Sequence, residues 1–378
     1  MAFAAALLTV VIAGGILANA KSGQTVRVST VKELNAAIKK ADVGTIILRT
    51  QAYNTIKIKA VKEAKEKFLI IDAPNASITN KAVFAEINIK AAGDYLEQVS
   101  GNKISFNNDE PNNSFIISKG KVLNELTVNT SYGYFDLNYI LRKGAKIKNI
   151  NMVYSGNNAP VESTYNQDKK QLSLEFSDSD GCKRAYTIKL DKRGRVVRET
   201  CKSNWVEYDY DYSYKYDSNG NMVKMSGKDN ESGNFTYVYT YSKNLIQKAV
   251  AKEDAASGEW NYSYDKKGVL TQMKYVGKGQ MDGSEFDLES TETYETDKNG
   301  RLSFMRYEDG ISGYFTEYYY TYNSKGLLTK KLVNNSGSES TYTYKYNKAG
   351  DKTSETYTNE GSSNTTTYKY DKLGNPVK

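Results

Sequence analysis

Behind Trp205 the chain places aromatic rings at Tyr208, Tyr210, Tyr212, Tyr214 and Tyr216, one at every second residue. On a β-strand, period two sends these rings to one face and Asp209 and Asp211 to the other. Two chemistries fit such a ladder. Exposed rings stack on sugar faces, which makes Trp205 and the tyrosines a candidate glycan platform; packed rings instead hold neighbouring strands together. Cys182 and Cys201 lie ten positions before and nine after the centre of Asp191-Lys192-Arg193-Gly194. If that run is a hairpin turn the two face each other, and a disulfide closing about 20 residues would contribute on the order of 3 kcal/mol, with two thiols as the alternative. The chain has no histidine, which excludes Ser-His-Asp and Cys-His catalysis, histidine zinc sites and histidine pH switches. Two cysteines alone do not build a zinc site. No metal, no cofactor and no assigned catalytic residue is therefore expected.

The elements that must carry these side chains are β-strands. Among 378 residues there are 32 tyrosines and only 4 prolines, and tyrosine suits a strand, where its ring packs while its hydroxyl stays wet. The length allows two domains. The net charge of +8 is uneven: residues 21–160 hold 20 Lys+Arg against 12 Asp+Glu, and residues 161–378 hold 32 of each. That excess reads either as a solvated surface or as attraction to an anionic cell-wall or extracellular polysaccharide. No basic run interleaved with aromatics suggests nucleic acid. Residues 1–20 read as a signal peptide: an apolar run from Ala4 to Leu17, then the small-x-small run Ala18-Asn19-Ala20. A retained anchor is the alternative. Removal of the leader would leave no membrane span and put the protein outside the cell or at its surface.

After Lys21, residues 24–28 predict a strand, and Thr30-Val31-Lys32-Glu33 predicts a capping box opening a helix. Val31, Leu34, Ile38 and Ala41 share one helical face, and Gly44 ends the helix. Thr45-Ile46-Ile47-Leu48 is an apolar strand, and strands are further expected at 68–71, 76–78, 85–89, 103–106, 114–117, 126–128 and 145–150. The residues Thr30, Glu33, Leu34, Ala37, Gly44, Thr45, Ile46, Leu48 and Tyr53 resemble the opening of pectate-lyase-like right-handed parallel β-helices. That resemblance implies a short β-solenoid with an N-terminal capping helix over 21–160. Lyases of this family abstract a proton next to a uronate with Lys or Arg, usually beside carboxylates that hold calcium. Lys57, Lys59 and Arg142 are candidates for that part, but no clustered Asp ligands accompany them.

From about Tyr165 an internal repeat sets in. Turn residues recur at Gly194, Gly220, Asn244, Gly268, Gly300, Gly326, Gly350 and Gly374, with gaps of 26, 24, 24, 32, 26, 24 and 24 residues. Asp or Asn opens each full turn, where its side chain bonds the backbone two residues on, and Gly closes it at positive φ. In Ser242-Lys243-Asn244 the turn is one residue shorter and Asn takes the left-handed place. Strictly alternating tyrosines precede the turns and an apolar residue follows two places after, until Lys352 and Pro376 replace it, so the last units read as an edge.

Tyr214–Met222 and the run from Tyr368 to Asn375 resemble the unit Tyr-x-Tyr-Asp-x-x-Gly-Arg/Asn-Leu of YD-repeat (Rhs-type) proteins. The resemblance implies about eight β-hairpins over 161–378, joined side by side into a long twisted sheet, as at cell surfaces or in toxin shells. The expectation is an all-β, non-catalytic secreted or cell-surface protein that binds glycan or a surface protein or acts as a scaffold. A polysaccharide lyase or a fragment of a toxin-delivery shell is the alternative.

Overall fold

A computed structural model describes residues 23–107, 114–131, 139–156, 160–177, 181–205, 209–230, 233–281 and 284–377. The expected leader and Tyr208 lie outside the described residues. Among them the chain is all-β, with a single α-helix and one short 3-10 turn.

The helix spans Val31–Lys39 and opens as the sequence requires: Thr30 Oγ1 accepts from Glu33 N at 3.2 Å, and Glu33 accepts from the Thr30 and Ser29 amides at 3.2 and 2.8 Å. Leu34, Ala37 and Ile38 are buried, while Ala41 is exposed. The helix ends before Gly44, which is already inside the strand Val43–Arg49. Lys67 closes that end by donating to the Lys40 and Val43 carbonyls at 2.8 and 2.6 Å.

Two parallel ladders follow. In one, Val26, Ile46, Leu69, Ile87, Ile104, Leu126 and Ile150 stand in register, each opposite the next. In the other, Ile56, Ile78, Tyr95, Phe115 and Tyr139 do the same. The strands expected at 68–71 and 76–78 are one strand, Phe68–Asn80, and it pairs in both ladders across a shift around Pro74. Each column stacks branched or aromatic side chains, and burying one such residue stabilises by roughly 1.5–3 kcal/mol.

Antiparallel pairing opens where Val153 and Tyr154 face Glu162 and Val161, and from Thr164 it continues through seventeen strands in sequence order to Thr367. The first hairpin was not legible as a repeat. Its turn places Lys170 at φ 48°, one 24-residue step before Gly194, where the other turns carry Gly or Asn. The final strands Lys369–Tyr370 and Pro376–Val377 pair only with each other, so Ser362–Thr367 is the free edge of the sheet.

The apolar core does not stop at residue 160. Leu172, Leu174, Phe176, Tyr186, Ile188, Leu190, Val196 and Cys201 join the cluster that begins at Val28, and Tyr154 stacks on Phe176 at 3.9 Å. The first hairpins thus cover the end of the parallel ladders. Beyond Tyr214, no described residue of the array belongs to that cluster.

Candidate binding face

Local backbone chemistry places the repeat turns. Asp217 Oδ1 accepts from Asn221 N at 2.9 Å, and Asp191, Asp265, Asp297, Asn323 and Asp371 accept in the same way from the residue four places on. Gly194, Gly220, Gly268, Gly300, Gly326, Gly350 and Gly374 have φ between 78° and 92°. The shorter turn has both Lys243 and Asn244 at positive φ, 51° and 65°, the two-residue type that matches strand twist.

Two recurring contacts were missed in the sequence. Tyr216, Tyr322, Tyr346 and Tyr370, which close their strands, donate to the carbonyls of Val196, Leu302, Leu328 and Lys352 in the preceding unit at 2.8–3.0 Å. Arg195 and Arg301, next to the turn glycines, pair with Asp191 and Asp297 and lie over the rings of Tyr216 and Tyr322, 4.7 and 4.6 Å from the centroids. The motif tyrosine and arginine therefore join one unit to the next. The signal was available as the Arg/Asn that follows glycine.

The turns also form a rim that docks on the parallel strands. Arg193 donates to the Ala145 and Leu141 carbonyls at 3.0 and 2.7 Å, and Arg142 bonds Asn221. At the opposite end of the parallel ladders, Tyr53 N donates to Gly326 O at 2.9 Å, and its ring meets Tyr322 edge-on at 5.1 Å. Arg27 forms a bidentate pair with Asp351, and Arg49 reaches Leu373 O at 3.1 Å. The array starts against the last parallel strands and ends against the first.

The Arg27–Asp351 side chains are only 9% and 7% exposed. Burial raises the Asp351 pKa, but the hydrogen bonds from Arg27 and Asn347 and the Arg27 charge outweigh it and hold the carboxyl below its ordinary value. A depressed pKa makes this contribution complete above the unfolded value of 3.8 and lost as pH falls through the folded one. Asp351→Asn is expected to cost about 2 kcal/mol by leaving Arg27 without its counter-charge. Urea unfolding at pH 7 checks this.

Against this frame of contacts the candidate residues separate. Tyr210 and Tyr214 pack on the core and direct their hydroxyls at Glu199; Tyr212 donates to Asp229 at 3.0 Å and Tyr216 to Val196. The ladder is half-buried cross-strand packing rather than an open platform, and Trp205, 37% exposed, lies two residues past the strand Val196–Ser203.

The disulfide is corrected. Cys182 and Cys201 are not joined. The turn sets Leu190 opposite Val196, and with the one-residue bulge that follows, Cys201 faces Tyr186 and Arg184 faces Ser203. Cys182 thus lies four residues along the strand from the position opposite Cys201, about 13 Å, where a bridge cannot close. Cys182 Sγ contacts Ser203 Oγ at 3.1 Å, and burial pushes the Cys201 thiol up to about 11.

Lys57 and Lys59 are exposed, and Arg142 is committed to the rim. Among the described residues no group of three or more His, Cys, Asp or Glu is placed to hold a metal.

The face that carries the ladder continues by register. Tyr214 stands opposite Met225, Met225 opposite Tyr237, Ala249 opposite Trp260 and Trp260 opposite Tyr275. Ring contacts follow the same path, from Tyr212 through Phe235, Tyr237 and Trp260 to Tyr275, with centroids 4.6–6.5 Å apart. From Met225 on, most rings of this face are half-buried, with Phe235 buried and Phe286 exposed, and the alternate residues of strand Leu270–Met281, such as Lys274 and Val276, are exposed.

No family model matches the chain, and no curated protein matches it. Among solved structures, a porin-like protein from Bacteroides uniformis aligns at 16% identity over 54% of this chain and 97% of that one, with a TM-score of 0.27. A porin-like protein from Bacteroides vulgatus aligns at 11% identity over 49% and 91%, with a TM-score of 0.20. At these TM-scores the likeness carries no argument about fold or function. No described helix is long and apolar enough to cross a membrane, which leaves membrane-spanning strands unaddressed.

Proposed function

We propose that this is a non-catalytic, exported or surface-exposed protein whose YD-type hairpin array binds extracellular glycan, carried on a short right-handed parallel β-solenoid. The in-register columns and the capped helix support the solenoid, and the repeated Asp-x-x-Gly turns with their unit-to-unit tyrosines support the YD-type reading. The observation that carries the binding function is the aromatic face beyond Met225. It continues the face that packs on the core, yet no described part of it joins the core cluster. Rings held in a row across strands are suited to the C–H faces of successive sugars.

A glycan array combined with an absorbance assay for unsaturated uronates tests this. Retention of one or more extracellular glycans, weakened at least about tenfold by Trp260→Ala, is expected without product absorbance. Product formation would replace the binding reading with a lyase, and an array without retention would remove glycan as the ligand.

A further inference from the structure

Midway along the array, cross-strand register assembles a small basin. Tyr237 lies opposite Ala251, Ala251 opposite Gly258 and Gly258 opposite Gly277, so residues with little or no side chain form the floor. A Cβ added at Gly258 or Gly277 would run into the Tyr275 ring, so those glycines let the ring lie over the floor. Trp260 stands 4.6 Å from Tyr275 and 6.5 Å from Tyr237, centroid to centroid. Glu253 completes the arrangement: its Oε1 accepts the Tyr237 hydroxyl, and its charge reaches the Tyr275 hydroxyl, whose pKa is raised first by burial and then by Glu253.

Charge sets this basin apart from the other side of the sheet. There, Glu259 pairs with Lys248 at 2.6 Å, Glu289 with Lys274 at 2.7 Å and Glu285 with Lys278 at 2.9 Å. Among the described residues Glu253 has no Lys or Arg partner. Glu292, on the same face, is likewise held by a tyrosine hydroxyl, that of Tyr294, and by no described cation. The described strand residues sharing this face between Met225 and Tyr320 include no Lys or Arg at all. An aromatic face on which Glu253 and Glu292 meet no described cation is complementary to ammonium groups, which ring faces attract.

We propose that Tyr237, Trp260, Tyr275 and Glu253 form an ammonium-binding site, and that its ligand is an amino-sugar glycan carrying free, protonated amines. The inference rests on the glycan-binding reading and narrows it: Trp260 and Tyr275 receive the sugar face and Glu253 the amine. It also reverses the sign suggested by the basic first half of the chain, several of whose arginines are committed to the docking rim.

Calorimetric titration of the full chain with a glucosamine hexamer and with its fully N-acetylated counterpart, at pH 6, tests the site. The free-amine hexamer is expected to bind at least about tenfold more tightly, with affinity falling as salt rises. Glu253→Gln, which keeps an acceptor for Tyr237, is expected to remove that preference at unchanged Tm, whereas Glu259→Gln on the other side leaves it intact. Equal affinity for the two hexamers would overturn the ammonium site while leaving glycan binding in place. Binding of spermidine or a lysine-rich peptide with no binding of either hexamer would overturn the amino-sugar ligand and the glycan reading together, as would no binding at all.

Discussion

Gly220→Val is expected to unfold the array's docking and to cost at least about 4 kcal/mol, because two independent penalties coincide. The residue has φ 92°, a region in which a branched side chain meets its own backbone at a cost of roughly 1–2 kcal/mol or more. It is also buried, and any Cβ there would overlap the Leu141 carbonyl oxygen of the parallel strands. Gly300 separates the two effects. It sits in the same kind of turn at φ 78°, but nothing lies within 4 Å of its would-be Cβ. Gly300→Ala is therefore expected to cost only about 1 kcal/mol, and Gly220→Ala about 3 kcal/mol. Chemical denaturation of the two alanine variants measures the difference. Equal losses would mean that the rim contributes nothing to stability.

Between pH 4.5 and 8 the protein is expected to lose up to about 3 kcal/mol of stability, with Glu97 as the cause. Glu97 is fully buried between the parallel ladders, and burial pushes its pKa up to about 7 from 4.5. Hydrogen bonds from Asn80, Tyr95, Asn102 and the Val99 amide pull it partly back. A folded pKa above the unfolded one means that the native state holds the proton more tightly. The contribution is complete below pH 4.5 and is lost as pH rises through about 7. With no histidine in the chain, few other side chains titrate in that window. Thermal melts across it should show Tm falling for the native protein, and Glu97→Gln should flatten the slope. A native Tm that holds or rises from pH 4.5 to 8 would contradict the assignment. The same donors make Glu97→Ala costly at any pH, since Asn80, Asn102 and Tyr95 would lose a shared acceptor.

Much of the local structure could be read directly from residue order. The capping box at Thr30 and Glu33, the Asp-x-x-Gly turns and the tyrosine alternation depend on neighbours a few positions apart, and backbone geometry at that range leaves few options. The turn ending at Lys170 escaped because lysine occupies a left-handed position at some cost, without the glycine that marks the others. The disulfide failed for a related reason. The count centred the hairpin near residue 192, whereas Leu190 pairs with Val196 across residue 193, and the bulge at Lys189/Leu190 shifts the partners by one residue more.

The candidate binding face shows the division most clearly. Period two placed the rings of 210–216 together on one face but could not say what would lie over them. The core cluster closed Tyr210 and Tyr214, and left Tyr237, Trp260 and Tyr275 beyond its reach. The sequence by itself determined the strands, the turns and the repeat, because those follow from interactions within one hairpin. Only the tertiary structure decided which hairpins pack on the parallel ladders, that Arg27 and Arg49 receive the last turns, and that Glu253 accepts from Tyr237 and reaches Tyr275. Those arrangements depend on register accumulated over many strands and on contacts between residues up to 326 positions apart, which no local pattern encodes.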